Sequence, residues 1–167
     1  GAEASLPVME GKCVLFKELA NIDAFPICLK TQNDKEIINI VKNIAPAFGG
    51  INLEDISAPR CFVIEEALLD IGIPVMHDDQ HGSAIVILAA LMNAAKVVNK
   101  RIEELKVIIN GAGAAGTAIT KLLLCLGMDK NICTSVREIV LCDSKGIIYD
   151  GRADLNEFKA QLAKVTN

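Results

Sequence analysis

The chain has 167 residues, enough for one ordinary domain or two small ones. Half of its residues (51%) are apolar and its mean hydropathy is +0.38, values of core-forming sequence that exclude a disordered tail. A formal charge of −4 with no basic patch excludes a phosphate-tracking surface, so no nucleic-acid partner is expected.

Taken in chain order, the opening GAEASLPVMEGK has no basic stretch followed by an apolar one, so it does not read as a secretory signal. KCVLFKELAN reads as a short helix from about Lys12 to Leu19 with Lys12 at its head, and FPICLK reads as a strand. Asn33 with Glu36 gives a capping-box pattern; Ile37, Ile38, Val41 and Ile44 then recur at helical spacing until Pro46 stops the run. FGGINLED is a turn and a brief strand ending in Glu54 and Asp55. APRCFVIEEALLDIG is a helix with Pro59 in its first turn and Gly72 beyond its end. The strand IPVM follows and delivers Asp78 and Asp79.

The apolar run Ala84–Ala95 falls short of the roughly 20 residues of a membrane span. It reads as a buried helix within Ser83 to about Val98, and no membrane partner is expected. Charged NKRIEEL is an exposed connection and a domain boundary. KVIINGAGAAGTAITKLLLCLG then gives strand, glycine loop and helix; REIVLCD is a second strand, SKGIIYDGR a turn with a short extended piece, and DLNEFKAQLAKV a closing amphipathic helix.

Two constellations carry chemistry. Gly111, Gly113 and Gly116 follow the apolar strand residues Val107, Ile108 and Ile109 and open a helix, the context in which such a loop cradles a pyrophosphate at a helix N-terminus. The loop also includes Ala112, Ala114 and Ala115 as candidate cofactor contacts. The next strand ends in Asp143, placed to accept a ribose hydroxyl, although GMDKNICTSVRE lengthens the connection beyond the usual roughly 20 residues. The second constellation is the pair of acidic dipeptides, Glu54-Asp55 and Asp78-Asp79, each at the step from strand to helix. Adjacent carboxylates repel, so a half-buried pair needs a cation, and all-oxygen donors suit Mg²⁺ or Mn²⁺. The bland alternative is a solvated strand end or favourable charge at a helix N-terminus.

His77 and His81 are four apart, but a strand ends between them, so satisfied structural histidines are expected rather than a metal pair. Six cysteines, with no C-x-x-C pair, are expected to be free thiols in a reducing compartment.

The stretches LPVMEGK, FGGINLEDISAPRCF, HDDQHGSA, INGAGAAG and CDSKG, in this order, closely resemble the bacterial-type malic enzymes from Gly1 to about Arg152. The resemblance implies oxidation of malate by NAD, with NADP open because of Lys145, followed by decarboxylation to pyruvate with Mg²⁺ or Mn²⁺. It implies Glu54, Asp55 and Asp79 as metal ligands, and Lys12 as the base toward the malate hydroxyl with Asp78 beside it. Gly111 to Gly116, Asp143, Ser144 and Ser83 are implied as cofactor contacts; Ser83 stands where the family commonly has threonine. The implied ion polarises the new carbonyl during decarboxylation. Tyr149, the only tyrosine, does not match the family's tyrosine acid.

The expected fold is α/β: a parallel-sheet substrate and metal segment over residues 1–100, then an incomplete Rossmann-type dinucleotide-binding domain over 101–167. The chain is expected to be a piece of a longer, homodimeric, cytoplasmic enzyme. The alternatives are a malolactic-type decarboxylase and a non-catalytic fragment that binds dinucleotide and metal.

Overall fold

The computed structural model describes residues 1–129 and 131–167 and divides into two units, Gly1–Ile44 and Ala45–Asn167. In the first, helix α1 covers Ala2–Ala20 and runs through Pro7 and Gly11. Lys12 is therefore mid-helix, not at a helix head as expected. A single proline and a single glycine remove only part of the ladder of a 19-residue helix, so the helix starts well before the expected Lys12. Asn21 ends the helix in the left-handed region, φ 52°, with its N–H donating to the Lys17 carbonyl at 2.9 Å.

The expected strand at Phe25–Lys30 is not one. The segment is irregular because Pro26 lacks a donor and, among the described residues, no strand pairs with it. Helix α2, Asp34–Ile44, begins as expected, with Asn33 Oδ1 accepting the Glu36 N–H at 3.1 Å. The capping box is one-sided: the Glu36 carboxylate accepts the Thr31 hydroxyl instead. Ile37 and Val41 form the buried stripe of this helix.

The second unit alternates strand and helix. It contains β1 (Ile51–Leu53), α3 (Arg60–Glu66), β2 (Val75–His77), α4 (Asp78–Val97), β3 (Lys106–Asn110), α5 (Ala114–Leu123), β4 (Glu138–Asp143), β5 (Gly146–Ile147) and α6 (Glu157–Ala163). Strands β1 and β2 pair in parallel; β3 and β4 pair in parallel with β5 antiparallel at the edge. Strand–helix–strand crossovers of this kind define the α/β class, and β3–α5–β4 is one arm of a dinucleotide-binding unit. Its core gathers Leu123, Val136, Ile139, Leu141, Ile148 and Leu162, with Leu88 and Leu91 of α4 packed against them. Leu141 and Ile148 are fully buried, so the strands are held from the side as well as by their ladder.

Helix α4 begins five residues earlier than expected and is not buried as expected. It packs along α5 and β2, yet Ile85, Val86 and Val97 are 60%, 66% and 86% exposed, because only one of its faces is covered. Among the described residues, no helix is long and apolar enough to cross a membrane.

The cysteines also depart from expectation. Cys125 and Cys133 are joined by a disulfide with Cα atoms 5.9 Å apart, leaving Cys13, Cys28, Cys61 and Cys142 free. Cys125 just past α5 takes φ 55°, a reversal that turns the chain back toward Cys133; nothing in a spacing of eight announces it. Lys130, inside the connection expected to lengthen the step to β4, lies outside the described residues.

Candidate functional site

The register of β1 and β2 aligns the acidic pairs. Leu53 is opposite His77 in a parallel ladder, so Glu54-Asp55 and Asp78-Asp79 leave neighbouring strands at the same C-terminal edge. That edge is where ligands bind in open α/β sheets. Asp55 adopts φ 57°, which turns the chain sharply just after the strand. Asp78 and Asp79 form the first turn of α4, where the partial positive charge of the helix N-terminus stabilises them without any ion. The donors are chemically right for a hard cation. Among the described residues, however, no three His, Cys, Asp or Glu side chains are gathered closely enough to hold one.

What organises this edge is a residue absent from the sequence reading. Glu65 of α3 is 8% exposed, and its Oε1 accepts the backbone N–H of His77 at 3.0 Å and lies 2.8 Å from His81 Nε2. Its Oε2 accepts from Gln80 Nε2 at 3.0 Å. One buried carboxylate thus ties the end of β2 to the first turn of α4, between the residues that bear Asp78 and Asp79. In VIEEAL the first acid looks like a helix-surface charge, and only the tertiary packing of α3 turns it inward.

His81 is the satisfied histidine expected. His77 is not: it is fully buried, neither ring nitrogen has a hydrogen-bond partner among the described residues, and Asp79 Oδ2 lies 3.7 Å from Nε2. Burial lowers the His77 pKa below the usual imidazole range, favouring the neutral ring.

The glycine loop is built as its spacing implies. Gly111 has φ +131°, a conformation L side chains rarely adopt, and its N–H donates to the Cys142 carbonyl at 2.9 Å. At Gly116 a Cβ would collide with the Gly111 carbonyl, so only glycine lets α5 start this close to β3. Around Gly113 a Cβ would meet nothing.

That open space belongs to a cavity of about 340 Å³. Gly111, Ala112, Gly113 and Thr117 line one side, Asp143 and Ser144 another, and Phe62, Asn156, Phe158 and Lys159 close the rest. Phe62 and Phe158 pack with ring centroids 4.6 Å apart. Ala114 and Ala115 open α5 immediately beyond the loop, whereas Ser83 lies further along α4 and does not line this cavity.

Asp143 is not a bare carboxylate. Arg152 Nη2 donates to both of its oxygens, at 3.0 and 3.1 Å, Lys159 Nζ donates at 2.6 Å, and the Lys145 backbone N–H donates at 3.0 Å. The Lys159 contact is the main reason that the Asp143 pKa falls to about 2. Arg152 is anchored in turn by Asp154, at 2.6 Å from Nε, and by the Ile147 carbonyl at 3.1 Å. Lys145 Nζ lies 2.8 Å from Asp154 Oδ2. Sequence reading missed Arg152 and Lys159; Lys159 sits on an amphipathic helix as any solvated lysine would. Lys12, in the unit Gly1–Ile44, is half-buried on α1.

Residues 80–167 match the family model described as "Malic enzyme, NAD binding domain", more than half of the chain. The chain belongs to the malic enzyme family. Residues 1–39 match a second malic enzyme model, "Malic enzyme, N-terminal domain". The bifunctional malic/malolactic enzyme of Bacillus subtilis (strain 168) is 56% identical over 100% of this chain and 39% of its own length. The NADP-dependent malic enzyme of Salmonella typhimurium (strain LT2) is 50% identical over 98% of this chain and 21% of its own length. The crystal structure of the NAD-dependent malic enzyme of Thermotoga maritima superposes with a TM-score of 0.91 at 50% identity, over 100% of this chain and 43% of that one. The chain therefore spans about two fifths or less of these malic enzymes' length, and the fold expected from its malic enzyme motifs, α/β with an incomplete Rossmann-type domain, is the one observed.

Proposed function

We propose that this chain supplies the dinucleotide pocket and the acidic metal edge of an enzyme that oxidises malate with NAD or NADP and decarboxylates the product to pyruvate and CO₂. The observation that carries the proposal is the joint cavity of Gly111, Gly113, Asp143 and Ser144, in a chain whose relatives are malic enzymes. Gly111 to Gly116, with Ala112, Ala114 and Ala115, would receive the pyrophosphate at the α5 N-terminus, and Asp143 with Ser144 the adenosine ribose. Ser83 is assigned to the nicotinamide end.

Lys12 is proposed as the base. To take the malate hydroxyl proton while hydride leaves C2 for the nicotinamide, its amine must be neutral at that moment, and Asp78 is proposed to set its proton affinity. Glu54, Asp55 and Asp79 are proposed to hold Mg²⁺ or Mn²⁺, on the strength of their shared strand edge and their hard oxygen donors. The proposed division places substrate and metal chemistry within 1–100 and the dinucleotide within 101–167, in a cytoplasmic homodimer. A malolactic activity is a second reading, favoured by the name of the Bacillus subtilis relative.

Incubation with malate, Mn²⁺ and NAD or NADP tests both readings. Equal yields of pyruvate and reduced dinucleotide are expected; lactate without net reduction would establish the malolactic reading. Dinucleotide and Mn²⁺ binding with no product would reduce the chain to a binding fragment.

A further inference from the structure

We propose that His77 is a positioning residue for Asp79: its buried Nε2–H orients the Asp79 carboxylate toward a divalent cation at the C-terminal edge of β1 and β2. The inference rests on the metal reading above and deepens it to the group that sets one ligand. His77 is fully buried, and neither ring nitrogen has a hydrogen-bond partner among the described residues. Burying polar atoms without partners is unfavourable, and an apolar ring would fill the same space without that cost. The imidazole therefore points to a task outside the packing. His81, the other histidine, is already engaged by Glu65 at 2.8 Å.

Asp79 is the acceptor within reach. Its Oδ2 lies 3.7 Å from His77 Nε2, just beyond hydrogen-bond distance, and a modest rotation of the aspartate side chain closes the gap. The ring is the fixed partner: it is enclosed on all sides, Glu65 Oε1 accepts the His77 backbone N–H at 3.0 Å, and Leu53 of β1 stands opposite in the ladder. The Asp79 side chain is 47% exposed, so one carboxylate oxygen can rest on the imidazole while the other meets an ion arriving from solvent. Carboxylates that hold metal ions are themselves hydrogen-bonded by a surrounding layer of donors, and a buried N–H with no other partner supplies such a donor. Asp78 is placed differently. It lies against Gly82, where an added Cβ would collide with its Oδ1.

The test is Mn²⁺ titration of the 167-residue chain, read from the free-ion signal in electron paramagnetic resonance, with thermal melting of each variant. His77→Phe keeps a ring and removes the donor, so Mn²⁺ affinity should fall by roughly tenfold or more. Its melting temperature should equal or exceed that of the intact chain, because the unpaired nitrogens are gone. His77→Gln, which carries an amide N–H at similar reach, should bind Mn²⁺ more tightly than H77F. Unchanged Mn²⁺ affinity in H77F, a loss that comes only with a lower melting temperature, or equal affinities in H77F and H77Q overturns the inference. Should H77F fail to fold, the imidazole ¹⁵N resonances decide: Mg²⁺ should shift His77 Nε2 in the intact chain but not in Asp79→Ala, and the same response in both overturns it. No Mn²⁺ binding by the intact chain, or unchanged affinity in D79A, overturns the metal reading as well. A loss in D79A with none in H77F removes only the role of His77.

Discussion

The Glu65 carboxylate lies 2.8 Å from the His81 ring while accepting the His77 backbone N–H, so a single buried acid on α3 fixes the path from β2 into α4. Glu65→Ala removes the acceptor for His77 N–H and Gln80 Nε2 at once. Each buried donor left without a partner costs roughly 1–3 kcal/mol, so chemical denaturation should show a loss in that range or somewhat above. A wild-type midpoint in E65A would show that the step from β2 to α4 does not depend on this acid.

Gly116 and Gly113 should separate fold from binding. Gly116→Ala drives a methyl into the Gly111 carbonyl, so thermal melting should fall by several degrees and dinucleotide binding should disappear with it. Gly113→Ala meets no protein atom, so its melting temperature should match wild type while its methyl obstructs the cavity and weakens NAD. Parallel behaviour of the two variants in melting and titration would contradict this division.

Asp143 should make stability depend on acid pH. Its folded pKa of about 2 lies below the usual value near 4, so its contribution is complete above pH 4 and is lost as the pH falls through about 2. Asp143→Asn should melt below wild type at pH 7, and the gap should narrow between pH 4 and pH 2. A gap that is constant across that window would show that the ion pairs with Lys159 and Arg152 add no stability.

The metal assignment is best checked by binding before turnover. Asp79→Ala should reduce Mn²⁺ affinity by more than about tenfold, read by loss of free-ion signal in electron paramagnetic resonance. Lys12→Ala should leave Mn²⁺ and NAD binding in place while malate oxidation collapses. Unchanged Mn²⁺ affinity in D79A, or normal oxidation in K12A, would remove that residue from its role.

The disulfide predicts a count. Titration with a thiol reagent in denaturant, without reductant, should find four reactive cysteines, and reductant should raise the number to six. Cys61, fully buried and with its thiol pKa raised by that burial, should react only after unfolding.

Local pattern made much of this legible. The capped run Asn33–Ile44, the strand before Gly111 and the acids after β1 and β2 all follow from short-range chemistry, and each is found where its residues indicate. What escaped depends on contacts distant in sequence. Glu65 and Lys159 look like surface charges until α3 and α6 are packed, and the Cys125–Cys133 bond needs the reversal after α5. FPICLK has strand composition without a strand beside it. The apolar residues of α4 promise burial, but their number says nothing about how many faces a neighbour covers.

The hydrogen bond from Gly111 to the Cys142 carbonyl ties the first glycine of the loop to the residue just before Asp143. Because the parallel ladder sets their separation, the number of residues strung between α5 and β4 has no leverage on it. That stretch is free to lengthen, shorten or gain a covalent staple over evolutionary time while the two proposed grips on a nucleotide keep their spacing, which is why counting residues from the last glycine to the acid is a poor guide here.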